Sequence, residues 1–257
     1  MTDKIKILFL AANPVDAGYR LRLDEEAREI DEKIQVGSKR DAFEVVAQWS
    51  TRPSDLQKTL LRYNPNIVHF SGHGNKKQGI ILEDHDGNMT PVSKSALIGL
   101  FRILKDNIKI VFLNACHSKQ QIAGLRETID FTIAMNTSIG DKAAVIFASY
   151  FYQALAFGRS VLDAFELAKN QLELEGIDES KTPELLVRDG VVAAKTYLME
   201  KAGGKEARRR GAKESGGSKD SAMITASGNQ SVAARKISNS TIIVGHNNKV
   251  RTKKSKD

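Results

Sequence analysis

Two apolar stretches of this chain each lead into a side chain that can take part in nucleophilic catalysis. "NIVHFSG" leads into His73, which stands between two glycines, and "IKIVFLNA" leads into Cys116, the single cysteine among 257 residues. A thiol with an ordinary pKa of about 8.5 is only a few per cent thiolate at neutral pH, so a cysteine nucleophile needs a base beside it. An imidazole can take the thiol proton and later return it to a leaving amine. The pair therefore predicts acyl transfer by a histidine–cysteine dyad.

The residue after the histidine suits the same reaction. Because Gly74 has no Cβ, a substrate carbonyl can approach the backbone closely at this point. Its N–H group, together with the N–H group of Cys116, can hold the negative oxygen of a tetrahedral intermediate. We therefore expect Gly74 and Cys116 to form an oxyanion hole.

The elements that must position this dyad alternate along the chain, with apolar runs of strand length separated by amphipathic stretches of helical period. The runs are almost continuously apolar, which is typical of parallel strands covered by helices on both faces. In such α/β sheets, ligands bind beyond the carboxyl ends of the strands, which is where His73 and Cys116 lie. A hairpin is predicted to turn at a two-residue loop of Asp86 and Gly87. The predicted strands are 4–12, 42–50, 66–72, 108–115 and 131–138, and the predicted helices are 23–35, 54–63, 93–104, 120–129, 141–157 and 160–175.

Composition is that of a soluble globular protein from a reducing compartment. Hydrophobic residues make up 41% of the chain, and a single cysteine cannot form an intramolecular disulfide. No apolar run reaches the length of a transmembrane helix, and the acidic stretch "LDEEAREIDEK" soon follows the first strand, which argues against a secretory signal. We expect a cytoplasmic protein without a membrane partner.

The net charge of +8 is concentrated at the C-terminus. Residues 201–257 hold 14 Lys or Arg against 4 Asp or Glu, which leaves residues 1–200 with 25 against 27 and a net charge of −2. A basic groove across the fold is therefore not expected, and nucleic acid is not the expected partner. Nucleic-acid binding through the basic arm stays open as an alternative, and such binding would depend steeply on salt.

Composition also divides the chain into three parts. Residues 1–200 are predicted to form one globular domain, since this length can bury a sizeable core. Residues 201–227 are rich in Gly, Ser and charge, which predicts a flexible basic linker. Residues 228–257 form a low-complexity tail in which "STIIV" has high β-propensity and no proline. A stretch of this kind, here within 228–248, is a candidate for pairing with copies of itself.

"VHFSGHG" followed by "VFLNACHS" resembles the histidine-then-cysteine arrangement of caspase-like cysteine peptidases, and in particular of the bacterial CHAT domains, which are relatives of caspases and separases. The resemblance covers most of residues 4–190 and includes "LAANPVDAGYRLRLDEEAREI" and "DKAAVIFASYFYQALAFGRSVLDAF". It implies an α/β caspase–haemoglobinase fold with a mostly parallel central sheet, with His73 and Cys116 as the dyad and Gly74 in the oxyanion hole. A protein is the expected substrate. No residues have metal-ligand spacing, so neither a metal nor another cofactor is expected.

The resemblance also suggests where the pocket for the residue before the scissile bond (P1) lies. Relatives that cut after Arg or Lys place an acidic side chain in this pocket, whereas caspases use arginines to bind Asp. Asp141 is the acidic residue nearest to the end of the fifth predicted strand, and Asn136 lies at that strand end, so both are candidates for lining the pocket. An Asp in the first turn of a helix is also favoured by capping and by the helix dipole, so a structural role for Asp141 stays open.

The function expected from these features is that of a cysteine endopeptidase, by analogy in a prokaryotic defence or programmed-cell-death pathway. The tail loosely resembles the short amyloid-type signalling motifs of cell-death effectors. It would join copies of the protein to each other or to an upstream sensor, and proximity would activate the peptidase. The alternative is a catalytically silent adaptor of the same fold that self-assembles through its tail.

Overall fold

The protein is described from a computed structural model, which defines residues 4–76, 79–119 and 124–199. Nine strands and five helices follow one another in these segments, together with three short 3-10 turns. The strands are β1 (Ile5–Ala12), β2 (Phe43–Gln48), β3 (Ile67–Gly72), β4 (Gly74–Asn75), β5 (Gly79–Glu83), β6 (Met89–Pro91), β7 (Ile110–Asn114), β8 (Phe131–Met135) and β9 (Pro183–Val187). The helices are α1 (Leu23–Gln35), α2 (Pro53–Tyr63), α3 (Lys94–Ile103), α4 (Asp141–Ala156) and α5 (Val161–Leu174), and the 3-10 turns are Arg40–Ala42, Leu125–Glu127 and Ala193–Lys195.

Six strands form the central sheet in the order β2-β1-β3-β7-β8-β9. The first five in this order are parallel, and β9 runs antiparallel along β8. Every residue of β3, β7 and β8 is buried, which explains why their sequences are mostly apolar rather than alternating. The predicted α/β sheet of mostly parallel strands is confirmed.

Alternate residues of the strands enter two separate cores, one on each face of the sheet. In β1, Ile7 and Phe9 face a core completed by α1, α4 and α5, whereas Leu8 and Leu10 face a core completed by α2, α3 and the hairpin strand β5. This alternation follows from the two-residue period of a strand, and it confirms helices on both faces. Strands β3 and β7 lie at the centre of the sheet, so their carboxyl ends are held from both sides.

Three details of the fold differ from the sequence-based expectation. The hairpin loop is wider than two residues, because the N–H group of Asp84 donates to Asn88 O at 2.9 Å and closes the loop there. Inside the loop, the Asp84 carboxylate accepts the N–H groups of Asp86 and Asn88 at 2.8 Å each. Gly87 is in the left-handed region at φ 82°. The helix predicted over 120–129 is described only from residue 124, where Leu125–Glu127 form a 3-10 turn. Strand β9 was not predicted, because an edge strand that is only half buried lacks a continuous apolar run.

The linker predicted over 201–227 and the tail predicted over 228–257 lie outside the described residues. None of the helices in the described segments combines the length and the apolar character that crossing a membrane requires.

Candidate active site

The carboxyl ends of β3 and β7 bring the two predicted dyad residues into one cavity. The strands are adjacent and parallel, and their last paired residues are Ser71 and Asn114. His73 follows Ser71 by two residues, and Cys116 follows Asn114 by two residues. Both side chains, together with Gly74, line a small cavity that we call the dyad pocket. The wall of the dyad pocket is completed mainly by Tyr19, Leu21, Leu23, Glu26, Asn114 and Asp141.

Gly74 is packed directly against the backbone of the cysteine. A Cβ atom built on Gly74 would lie 2.6 Å from the carbonyl oxygen of Cys116 and 3.4 Å from its nitrogen. Real Cβ atoms do not approach backbone so closely, so only glycine fits at this position without a shift of the chain. The contact holds the "HG" and "AC" segments side by side, as an oxyanion hole made of the N–H groups of Gly74 and Cys116 would require.

The imidazole of His73 is held by the loop that follows β1. Its Nε2 atom lies 3.4 Å from Asn13 Oδ1, and the ring of Tyr19 packs edge-on against it with 5.0 Å between centroids. Partial burial lowers the pKa of His73 below its ordinary value, while the negative charge of Asp141 and a hydrogen bond to the backbone carbonyl of Tyr19 oppose this shift. The lowered pKa favours the neutral ring, the form that can accept a proton as a general base must.

The half-buried Cys116 begins a tight turn that is tied to the neighbouring strand β8. His117 adopts a left-handed backbone conformation, φ 56°, which is uncommon for a residue with a side chain, and its N–H donates to Thr137 O at 3.1 Å. The buried Ser118 hydroxyl donates to Leu113 O at 2.9 Å and accepts from the N–H of Met135 at 3.0 Å. These bonds fix the direction in which the backbone presents Cys116.

The two predicted pocket residues are placed differently. Asp141 is the first residue of α4 and lines the dyad pocket, and its carboxylate lies 3.6 Å from Arg22 Nε. Asn136 is not among the residues that line the pocket. Its amide donates instead to Lys181 O at 3.0 Å and to Glu184 Oε1 at 2.9 Å. We therefore carry Asp141, and not Asn136, into the proposed pocket.

A buried polar network beneath the dyad was missed by sequence reasoning. The carboxylate of Glu26 accepts hydrogen bonds from His69 Nε2 at 2.9 Å, from Asn114 Nδ2 at 2.7 Å and from the hydroxyl of Ser71. The hydroxyl of Tyr152 lies 3.0 Å from the other nitrogen of His69. All five side chains are buried. Together they form one hydrogen-bonded group in an otherwise apolar layer.

One sequence signal could have revealed this network. The buried residues of α1 are Leu23, Glu26, Ile30 and Ile34, whose spacing of three, four and four is that of a single helix face. Glu26 therefore stands in the apolar stripe of a helix whose other acids are on the solvent side. A glutamate in such a stripe predicts a buried carboxylate that needs partners.

One further polar atom, on a residue that lines the dyad pocket, has no protein partner among the described residues. The side-chain oxygen of Asn114 is buried and accepts no hydrogen bond, although its amide nitrogen donates to Glu26 and, at 3.4 Å, to Ala144 O. Both neighbours of the nitrogen are acceptors, so the network itself determines which way the amide faces. Asn114 Oδ1 is therefore a buried acceptor without a protein donor.

Comparison with the solved structure of a cysteine protease confirms the fold expected from the sequence. A secreted C11 cysteine protease from Bacteroides thetaiotaomicron, solved with an irreversible peptide inhibitor, superposes with a TM-score of 0.52 over 71% of this chain and 66% of that chain, at 13% sequence identity. Caspase-1 from Spodoptera frugiperda gives a TM-score of 0.45 over 74% of this chain and 92% of that chain, at 10% identity. At such low identities the likeness concerns the fold alone.

Two curated relatives are each 27% identical to the chain. One is named a probable protease, from Gillisia limnaea, and matches over 154 residues, which are 59% of this chain and 27% of that protein. The other is named a Roc-COR-CHAT protease, from an unknown prokaryotic organism, and matches over 163 residues, which are 60% of this chain and 15% of that protein. The chain thus spans only a minor part of each relative's length. The family model of the CHAT domain matches residues 20–183, which is well over half of the sequence, and the chain therefore belongs to the CHAT domain family.

Proposed function

We propose that this protein is a cysteine endopeptidase in which Cys116 attacks the carbonyl carbon of a peptide bond and His73 moves the protons. One observation carries the proposal. The register of β3 and β7 brings a histidine and the single cysteine to the same cavity, with a glycine backbone against the backbone of the cysteine. The protease names of the two relatives and the cysteine-protease fold of the solved structure support the same reaction class.

The reaction proceeds through an acyl-enzyme. His73 takes the thiol proton, the bond between Cys116 Sγ and the carbonyl carbon forms, and the carbonyl π electrons move to the oxygen. The N–H groups of Gly74 and Cys116 hold that oxyanion. The carbon–nitrogen bond then breaks, and the leaving amine takes the proton from His73. Water gives a proton to His73 and attacks the thioester, and the sulfur leaves and regains its proton.

The dyad pocket favours a P1 side chain that donates hydrogen bonds. Its wall includes the Asp141 carboxylate, which accepts hydrogen bonds. A Lys or Arg side chain would satisfy it, and a charged donor gains more from a carboxylate than a neutral one does. The Asp141 side chain is one third exposed, at 34%. Its Oδ2 atom lies 3.6 Å from Arg22 Nε and accepts the backbone N–H of Arg22 at 3.3 Å, which leaves Oδ1 for an entering cation. We therefore propose cleavage after a basic residue.

The wider setting is proposed from the resemblance of the C-terminal segment to assembly motifs. Residues 228–248 would recruit further copies of the chain or an upstream sensor, in a prokaryotic defence or cell-death pathway. Such recruitment makes the specific activity rise with protein concentration. A specific activity that stays constant over a hundredfold range of concentration contradicts this part of the proposal.

Cleavage of a peptide library that is diverse at P1 tests the reaction. The full-length chain is assayed at high concentration beside Cys116→Ala and His73→Ala. Peptides cut by the unmodified chain and by neither variant establish the dyad, and the products identify the P1 residue. Cleavage that survives in Cys116→Ala contradicts the proposal. No cleavage by any of the three proteins favours the alternative of a catalytically silent adaptor.

A further inference from the structure

The carboxylate of Glu26 lies in an unusual place for a charge. The residue is 2% exposed and lies in the core between α1 and the central sheet. The described residues place no Lys or Arg within ion-pair distance of it, and its partners are His69, Ser71 and Asn114. Burying a carboxylate costs several kcal/mol unless hydrogen bonds replace its hydration. None of the steps of the proposed reaction uses Glu26 directly.

The partners of this carboxylate belong to the two strands that carry the dyad. His69 and Ser71 are in β3, and Asn114 is in β7. Ser71 and Asn114 form the last pair in the register between these strands. The register between the two strands ends at that pair. His73 lies two residues after Ser71, and Cys116 lies two residues after Asn114. The carboxylate therefore crosses from one strand to the other at the last point where backbone pairing holds the two together.

The same contact orients a side chain of the pocket. Asn114 Nδ2 faces Glu26 Oε1 at 2.7 Å, which turns Asn114 Oδ1 away from the carboxylate. That oxygen is buried and has no donor among the described residues. Without the negative charge beside the nitrogen, the amide would have no strong reason to keep this orientation.

We propose that Glu26 is a positioning residue, whose carboxylate ties the end of β3 to the end of β7 and thereby sets the separation of His73 and Cys116. The inference rests on the proposed dyad and extends it to a residue that touches neither reacting group. A hydrogen-bonded bridge is well suited to this task, because a misplacement of about 1 Å between catalytic groups can lower a rate by about 100-fold. The bridge acts on both strand ends at once, since each oxygen of the carboxylate has its own donors.

Glu26→Gln tests the proposal with little change in shape. Glutamine replaces one acceptor oxygen with an NH₂ group that faces donors, so at least one of the three bonds is lost. We expect kcat for the best library peptide to fall about 100-fold while KM changes less than threefold, because the dyad is displaced whereas Asp141, the proposed acceptor for the P1 side chain, is left in place. The matched control is Glu32→Gln, the same change on the exposed side of the same helix, which should leave kcat within twofold.

A second readout does not depend on peptide cleavage. Iodoacetamide labels the single cysteine of the chain, and the imidazole of His73 assists the labelling only when the two side chains are correctly placed. At pH 6 we expect Glu26→Gln to be labelled at least tenfold more slowly than the unmodified chain. If the unmodified chain cuts no peptide but Glu26→Gln is still labelled more slowly than the unmodified chain, the positioning role stands and the peptidase proposal fails.

The result that overturns the inference is a folded Glu26→Gln protein whose kcat and labelling rate both match those of the unmodified chain. If this variant does not fold, Ser71→Ala decides the question, since it removes one hydrogen-bond donor and leaves the Glu26 carboxylate with its other two. We expect that change to lower kcat and the labelling rate about tenfold each. A folded Ser71→Ala protein with unchanged rates overturns the inference equally.

Discussion

Gly74 and Cys116 approach each other so closely that the glycine cannot carry a side chain. The Cβ atom of an alanine at this position would lie 2.6 Å from the carbonyl oxygen of Cys116 and 3.1 Å from the Cβ of Ala115. Backbone atoms cannot move aside as the end of a long side chain can, so the two segments would separate. The contact therefore couples the histidine loop to the cysteine loop.

Gly74→Ala should reduce peptide cleavage by 100-fold or more, because separating the two N–H groups weakens the oxyanion hole. Steady-state kinetics with the best library peptide measure this loss. The matched control is Gly99→Ala in helix α3, where no atom outside the glycine, its two chain neighbours and the adjacent helix backbone lies within 4 Å of the new Cβ. That variant should keep full activity and gain up to about 1 kcal/mol in the free energy of unfolding. Equal activities of the two variants would contradict the proposed role of Gly74.

Asp141→Asn should reduce the preference for a basic P1 residue. The substitution removes the negative charge that we propose as the acceptor for the P1 side chain, and so removes a charge-assisted bond to the substrate. We expect the ratio of kcat/KM for an Arg peptide to that for the matching Leu peptide to fall about tenfold. Asp163→Asn is the control. Asp163 also lies in the first turn of a helix, α5, so this change alters the interaction of a carboxylate with a helix dipole without touching the pocket. It should leave the ratio of kcat/KM values unchanged. An unchanged ratio in Asp141→Asn removes this residue from the pocket.

The same variant should shift the pH dependence of cleavage. The pKa of His73 is lowered by burial, and the negative charge of Asp141 raises it in part. When that charge is removed, the imidazolium is less stable and the pKa of His73 falls further. Because the neutral ring is the base, the acid limb of the profile of kcat/KM against pH moves to lower pH. A shift to higher pH would show that Asp141 does not act on His73 through its charge.

Tyr152→Phe should lower the free energy of unfolding by about 1–3 kcal/mol, because it leaves the buried nitrogen of His69 without the hydroxyl that lies 3.0 Å away. Urea denaturation at pH 8 measures the difference. Tyr150→Phe is the control. Tyr150 is half buried and Lys33 Nζ lies 4.6 Å from the centroid of its ring, a contact that phenylalanine keeps.

The difference between Tyr152→Phe and the unmodified chain should also depend on pH. Burial and the charge of Glu26 raise the pKa of Tyr152 well above its ordinary value of 10.0. The unfolded chain loses this proton near pH 10 while the folded protein keeps it, so the stability gained from the tyrosine is complete below pH 10 and is lost as the pH rises further. A difference that grows between pH 9 and pH 10.5 would contradict this assignment.

Ser118→Ala should destabilise the turn that presents the cysteine. The buried hydroxyl joins Leu113 O to Met135 N–H, and its removal leaves the buried N–H group without an acceptor. We expect a loss of about 1–3 kcal/mol in the free energy of unfolding and slower labelling of Cys116. Ser95→Ala, an exposed serine in α3, should change neither quantity measurably.

Much of the architecture could be predicted from local sequence pattern. Strands that are buried on both faces are mostly apolar, so β1, β3, β7 and β8 are visible as runs of apolar residues. The candidate dyad was equally visible, since His73 and Cys116 follow two of these runs directly and parallel strands end at the same edge. The edge strand β9 was not visible, because half-buried residues follow no strict pattern.

The sequence by itself determined which residues could do the chemistry and at which edge of the sheet they would lie. Only the tertiary structure decided how they are held together. Glu26 looked like one acid among several in α1, and neither Tyr19 nor Asn13 carried a signal that linked it to His73. Contacts between residues 43 to 88 positions apart depend on how helices dock on the sheet. No local pattern encodes that docking, because it is set by the packing of the whole core.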